Sequence, residues 1–297
     1  MPEIGNKIAN ADIDLVDETF EVSLSNTYHL SIQIEAGRMS FCVYNTVINK
    51  YILLRSYPLF ITDLSPNAGQ FLLVSACSPI FENDNKLSLN YKSCSLLSIS
   101  PRCTLVPDAL FDPDEADLYL NFNHGAVTGE HTLYRHIRPV NLCSVFSCPE
   151  ELLNLIWTYQ PRAHFFHQSS PFIESVIAGT LSSDQILMAV YFCAQWLDIA
   201  VTKEGKLLFY NIFKINAPAD SVYYLAGVSN MFDIDLKSTN VLYAGNLQQM
   251  PPEIAILKDF TGSIIECAPY NTVTFSHCIT EPFRKHFINL FNLYGCE

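Results

Sequence analysis

Residues 27–60 read TYHLSIQIEAGRMSFCVYNTVINKYILLRSYPLF, and their alternation decides the fold. Tyr28, Leu30, Ile32 and Ile34 fall on one side of an extended chain, with His29, Ser31, Gln33 and Glu35 on the other. That is the pattern of a half-buried strand. A tight turn at Ala36-Gly37-Arg38 leads into Met39, Phe41 and Val43, alternating with Ser40, Cys42 and Tyr44. A third run, Tyr51 to Phe60, follows Asn49-Lys50, so the segment predicts a three-stranded meander. Asp63 and Ser65-Pro66 then open a helix in which Phe71, Leu72, Val74, Cys77 and Ile80 have the spacing of a face packed on that sheet. The polar run Glu82-Asn83-Asp84-Asn85 closes it.

The same order returns at residues 186–215, ILMAVYFCAQWLDIAVTKEGKLLFYNIFKI. Ile186 to Ala194 is apolar on both faces, as a central strand is. Leu197, Ile199 and Val201 alternate, Glu204-Gly205 turns, and Leu207, Phe209, Asn211, Phe213 and Ile215 alternate again. Pro218 and Asp220 open a second helix through Val222, Leu225, Val228 and Phe232. Further strand and helix signals follow each meander: Tyr91 to Leu105, Asp108 to Phe122, Val140 to Phe146 and Pro149 to Tyr159, then Asn240 to Ala244, Pro252 to Phe260 and Ser263 to Cys267. Crossover helices imply parallel pairing beside each antiparallel meander. The expected class is α/β with mixed sheets, built twice.

Meander, helix, strand, helix, strand, repeated in one chain, resembles the duplicated ribonuclease-H-like architecture of the actin, sugar kinase and heat-shock ATPase superfamily. Three phrases are more specific: LVPDALF at 105–111, HFFHQSSPFIESVIAG at 164–179 and LFNLYGCE at 290–297. They resemble a bacterial family known only by a domain-of-unknown-function label. The resemblance implies an actin-like ATPase fold akin to the cytoplasmic assembly proteins of type IV pili and type II secretion, from about Leu15 onward. It implies no function, since fold alone carries none. It divides the chain into residues 1–160 and 161–297, two ribonuclease-H-like domains with the boundary between 160 and 184.

Active members of that superfamily hold ATP between the halves with an Asp-x-Gly turn in each, a carboxylate for a hard cation and a glycine that admits phosphate to backbone amides. The first turn here is Glu35-Ala36-Gly37-Arg38-Met39, which keeps only the glycine. Arg38 would meet a phosphate, but Gly37 is read first as a hairpin residue. In the second turn, Cys193 and Gln195 stand where the pilus relatives place Asp and Gly, followed by Trp196. The glycine pair that passes beneath adenosine has its nearest match in Gly245-Asn246, an ordinary turn pair. With 11 glycines in 297 residues, few loops can bring backbone against phosphate. The expectation is a cleft filled by side chains, with Trp196 either plugging it or covering the outer face of its own sheet.

Composition bounds the remainder. The chain is 49% hydrophobic and 16% charged, against a usual charged share of about 25%, which excludes disorder. Its formal net charge of −13 opposes attraction to nucleic acid or an anionic membrane surface. Residues 1–20 lack the basic start and apolar middle of a secretory signal, and the most apolar stretch, Ile186 to Leu197, is shorter than the roughly 20 residues a spanning helix needs. The ten cysteines, among them Cys42, Cys193 and Cys267 in apolar strands, read as reduced thiols of a cytoplasmic protein.

Other constellations have structural readings. His164 and His167 flank Phe165-Phe166 in a short strand, where positions three apart face opposite sides. Cys143 and Cys148 lack a second ligand pair, and His277-Cys278 is splayed by adjacency. Asp112, Asp114, Glu115 and Asp117 suit the first turn of a helix. Ser169-Ser170-Pro171 reads as a helix start without a nucleophile elbow. Phe283, Phe287, Leu290, Phe291 and Tyr294 recur at helical spacing and are read as an amphipathic helix closing the core.

No catalytic, cofactor-binding or metal residue is assigned. The leading expectation is a non-catalytic actin-like module that acts by binding a protein, its aromatic residues supplying anchors. The alternative is an ATP-binding or ATP-hydrolysing protein with a degenerate interdomain site built from Glu35, Gly37, Gly245 and Asn246. A two-metal nuclease would need converging carboxylates, of which the first meander supplies only Glu35.

Overall fold

The computed structural model describes residues 10–35, 37–61, 66–180, 186–193, 195–245, 251–267 and 273–296. The chain begins with β1 (Ile13–Val16), β2 (Tyr28–Glu35), β3 (Arg38–Asn45), β4 (Lys50–Pro58), α1 (Pro66–Asn83) and β5 (Ser93–Ser98). It continues through β6 (Cys103–Pro107), α2 (Ala116–His124), β7 (Glu130–Ile137), β8 (Leu142–Pro149), α3 (Glu150–Tyr159), β9 (His164–His167) and α4 (Ser169–Thr180). The second run is β10 (Leu187–Cys193), β11 (Trp196–Lys203), β12 (Lys206–Lys214), α5 (Pro218–Met231), β13 (Asn240–Gly245), α6 (Pro251–Phe260) and β14 (Ser263–Glu266). A closing segment holds β15 (Thr274–Phe275), α7 (Glu281–His286) and α8 (Ile288–Asn292).

Two of the sheets repeat one topology. The first runs β4-β3-β2-β5-β9, with β1 and β15 added on β4, and the second runs β12-β11-β10-β13-β14. In both, the meander is antiparallel and the crossover strands are parallel, as the duplicated pattern predicts. Glu204 and Gly205 both take positive φ, 51° and 70°, which gives the β11–β12 hairpin the twist its strands need.

Three features depart from the sequence expectation. Tyr91 to Leu105 is two strands in different sheets, broken around Pro101, because proline cannot donate to a ladder. The second of these, β6, joins β8 and β7 in a separate antiparallel sheet of order β6-β8-β7. The helical stripe at residues 281–294 is not one helix: it breaks at Phe287, whose φ and ψ of −102° and 31° leave the helical region.

The core is layered around both sheets. One face of the first sheet packs Leu30, Ile32, Phe41 and Val43 against Cys77, Ile80 and Phe81 of α1 and Leu152, Leu153 and Ile156 of α3. Its other face packs Cys42, Tyr44, Tyr51 and Leu54 against Phe287, Leu290 and Phe291. The second sheet packs Val190, Phe192, Leu197, Ile199 and Val201 against Leu225 and Val228 of α5 and Leu257 of α6. Its remaining face, with Ala189, Tyr191, Cys193, Ala200 and Ala244, meets Phe172 and Val176 of α4 and Ile288 of α8. Helices α4 and α8 therefore lie between the two repeats.

Helix α5 starts where Asp220 reaches back, its carboxylate accepting from the backbone N–H groups of Asn216 at 2.8 Å and Ala217 at 3.0 Å. Asp220→Ala should lower stability by about 1 kcal/mol in urea denaturation, the usual cost of a lost capping carboxylate, and an unmoved midpoint would show the cap to be idle.

Candidate functional site

The β2–β3 turn and the β10–β11 turn meet at the seam between the repeats. The Cys193 thiol donates to Glu35 Oε2 at 3.8 Å, joining residues 158 positions apart. Loss of water from around the Glu35 carboxyl raises its pKa to about 7, against the charge of Arg38 and hydrogen bonds from Cys193 and Gln33. Burial likewise pushes the Cys193 thiol well above its ordinary value. Arg38 is committed elsewhere: its guanidinium forks onto Asp12 at 2.9 Å and 2.7 Å and donates to Ser56 Oγ at 2.6 Å.

A second carboxylate lies deeper in the seam. Asp198, on β11, is fully buried and accepts from Tyr210 Oη at 2.8 Å on one oxygen, while its other oxygen is buried without a partner among the described residues, close to Gln168 at the start of α4. Burial raises its pKa to about 7. Gln168 is itself fixed across to Ser100, accepting from its N–H at 3.0 Å and donating to its carbonyl at 2.9 Å. Beside it, His167 Nε2 lies 2.7 Å from the same carbonyl and so carries the proton. Nδ1 then accepts from the Ser169 hydroxyl at 2.9 Å and its N–H at 3.1 Å. Ser169 continues to Ser144 at 3.0 Å, and burial lowers the His167 pKa to about 4. This Ser-His contact is sealed, since both residues have no exposed surface. It orients the start of α4 rather than exposing a nucleophile.

Trp196 pairs directly with Cys193, which puts its side chain on the seam face of the second sheet, and it remains partly exposed. Gln195 is exposed at the turn. Gly245 has φ of 111°, and a Cβ there would lie 2.0 Å from the Phe192 carbonyl oxygen, so close strand approach accounts for this glycine. At Gly37 a Cβ would meet nothing within 4 Å. Ala36, Ala194 and Asn246 lie outside the described residues, as do Asp63 and Ser65.

The resemblance read from the sequence implies a metal–nucleotide complex at these turns. The seam residues do not fit one: Glu35 is engaged by the Cys193 thiol, Arg38 is spent on Asp12, and Cys193 supplies no hard oxygen ligand. Among the described residues no three His, Cys, Asp or Glu side chains gather around a metal-sized point. His164 is exposed and His167 buried, on opposite sides of β9. Cys143 and Cys148 lie in different core clusters, and all ten cysteines are free thiols. His277 is exposed, while Cys278 turns to Ser276 at 3.1 Å.

Sequence reasoning missed Asp198, Tyr210 and Gln168. A signal existed: Asp198 falls on the same face as Ala200, in a strand beside the doubly apolar β10, where a carboxylate has no water to face.

The profile of a family described as "Protein of unknown function (DUF3822)" matches residues 17–264. Among solved structures, the chain resembles a Bacteroides thetaiotaomicron protein with an actin-like ATPase fold and unknown function. The two share 23% identity at a TM-score of 0.78, over 94% of this chain and 99% of that one. It also resembles the PilM–PilN type IV pilus biogenesis complex, with 13% identity and a TM-score of 0.56, over 91% of this chain and 98% of that one. No curated protein matches by sequence. The fold is thus the actin-like ATPase fold that the quoted phrases imply.

Proposed function

The chain belongs to the DUF3822 family of proteins of unknown function, and on that footing we propose that it is a non-catalytic actin-like module that works by binding another protein. The observation that carries this reading is the seam. Glu35 and Cys193 close the two turns on each other, and α4 and α8 fill the space below them. A pilus biogenesis complex on the same fold supports a role in protein assembly. The division of the chain at 160–184 is carried forward in this proposal, with the pairing of β9 to β5 favouring the later part of that interval. So is a cytoplasmic location: no described helix is long and apolar enough to cross a membrane, and the thiols are free.

Titration with Mg-ATP separates this reading from the alternative, a degenerate ATP site. A ligand at 100 times its dissociation constant adds about 2.7 kcal/mol to stability. The melting temperature should stay fixed through millimolar Mg-ATP. A saturable rise would overturn this reading in favour of the ATP-binding alternative.

A further inference from the structure

We propose that the outer face of α2, on the separate three-stranded sheet, docks a partner segment carrying apolar side chains flanked by lysine or arginine. The inference rests on the protein-binding reading and names the chemistry of the partner. Helix α2 is apolar on two sides. Ala116 and Leu120 face inward onto Val106, Cys143 and Val145. Leu118 and Phe122, also four residues apart, face the opposite way and are 61% and 87% exposed. Leu110, 70% exposed, lies just before the helix, its carbonyl accepting from Tyr119 Oη of α2 at 2.8 Å. One short helix thus presents a second apolar face that its own sheet does not cover.

The charges around that face select the occupant. Asp112, Asp114, Glu115 and Asp117 are all exposed at its N-terminal edge, and none forms an ion pair with a Lys or Arg among the described residues. No Lys or Arg occurs between Arg102 and Arg135. An anionic membrane or a nucleic acid is repelled by such an edge. A second copy docking symmetrically would bring the same acids together. A segment with leucine- or phenylalanine-sized anchors and basic flanks satisfies both the apolar and the acidic parts, the charges steering encounter and the anchors supplying affinity.

The test uses the full chain and a short fluorescein-labelled helical peptide made only of leucine and lysine, with a leucine–glutamate peptide as its counterpart. Anisotropy should show binding of the lysine peptide, weakened about tenfold by the double variant Leu118→Ser/Phe122→Ser. Asp114→Asn/Asp117→Asn should flatten its dependence on salt between low ionic strength and about 0.3 M. Circular dichroism and melting confirm that these exposed substitutions leave the fold intact. Equal binding to wild type and the double variant would mean general attraction to an acidic chain, and overturns the proposal. So does absence of lysine-peptide binding, or equal binding of the glutamate peptide. Self-association abolished by Phe122→Ser in sedimentation velocity also overturns it, by showing a second copy on this face. Each of these failures leaves the protein-binding reading standing, since that reading falls only on the Mg-ATP titration.

Discussion

Gly245→Ala is expected to destabilise the protein by about 3 kcal/mol or more, from two independent causes at one position. The residue sits at φ 111°, where an L side chain is strained, and its added Cβ would lie 2.0 Å from the carbonyl oxygen of Phe192. The obstacle is backbone of the central strand β10, paired in parallel with β13 at Phe192 and Gly245. A flexible side chain would swing aside, but this carbonyl is fixed by a sheet covered on both faces. The relief available is therefore displacement of β13, which loosens Val241 and Ala244 together. Guanidinium denaturation reads the effect directly. A midpoint equal to wild type would mean that the close approach of the two strands is not enforced. The clash accounts for this glycine by strand packing alone.

How the sequence reveals the fold, and where it stops, follows from the range of the interactions. The meanders were legible because strand alternation and the Glu204-Gly205 turn are local, and a one-residue slip would turn Leu30, Ile32 and Ile34 away from the core. Strand β7 was not, because Glu130-His131-Thr132-Leu133-Tyr134-Arg135-His136 alternates too little, and its partner β8 becomes evident only when the sheet forms. β1 offered four residues, too few for a periodic signal, and is held by pairing with β4. The turn sequences showed what the seam lacks, namely an aspartate at Cys193. They did not show that Glu35 turns to that thiol, nor that Arg38 reaches back to Asp12. Those contacts span 158 and 26 positions, and nothing local encodes them. The exposed anchors of α2 were partly legible, since the acidic run at Asp112–Asp117 was evident, but which face of the helix the sheet would leave bare was not.

Asp198→Asn should change how stability depends on pH, and by the second largest margin expected here. The carboxyl is fully buried, and desolvation raises its pKa from an ordinary 3.8 to about 7, against the hydrogen bond from Tyr210 and the nearby Gln168 amide. Its titratable neighbours are Tyr210, Tyr191, Cys193 and Cys103, each itself raised by burial, and none brings a positive charge. Between those two values the folded state holds a proton that the unfolded chain has released, so the contribution of Asp198 falls as pH rises from about 4 to about 7 and is constant above that. The full difference corresponds to at most about 4 kcal/mol, and relaxation around the charge brings the expected change to about 2–4 kcal/mol. Glu35 and Glu174, both raised to about 7, act in the same direction. His167 and His286, lowered to about 4, act oppositely, since their neutral forms favour the fold as pH rises through about 4 to 6.5. The wild-type profile is therefore a shallow sum, and only the difference between variant and wild type isolates Asp198. Asparagine keeps an oxygen for Tyr210 and cannot ionise, so the variant should gain on wild type by that amount between pH 4.5 and 8 in urea denaturation. Parallel curves across that range would mean that Asp198 ionises freely in the folded protein, and that water reaches the seam between the two repeats.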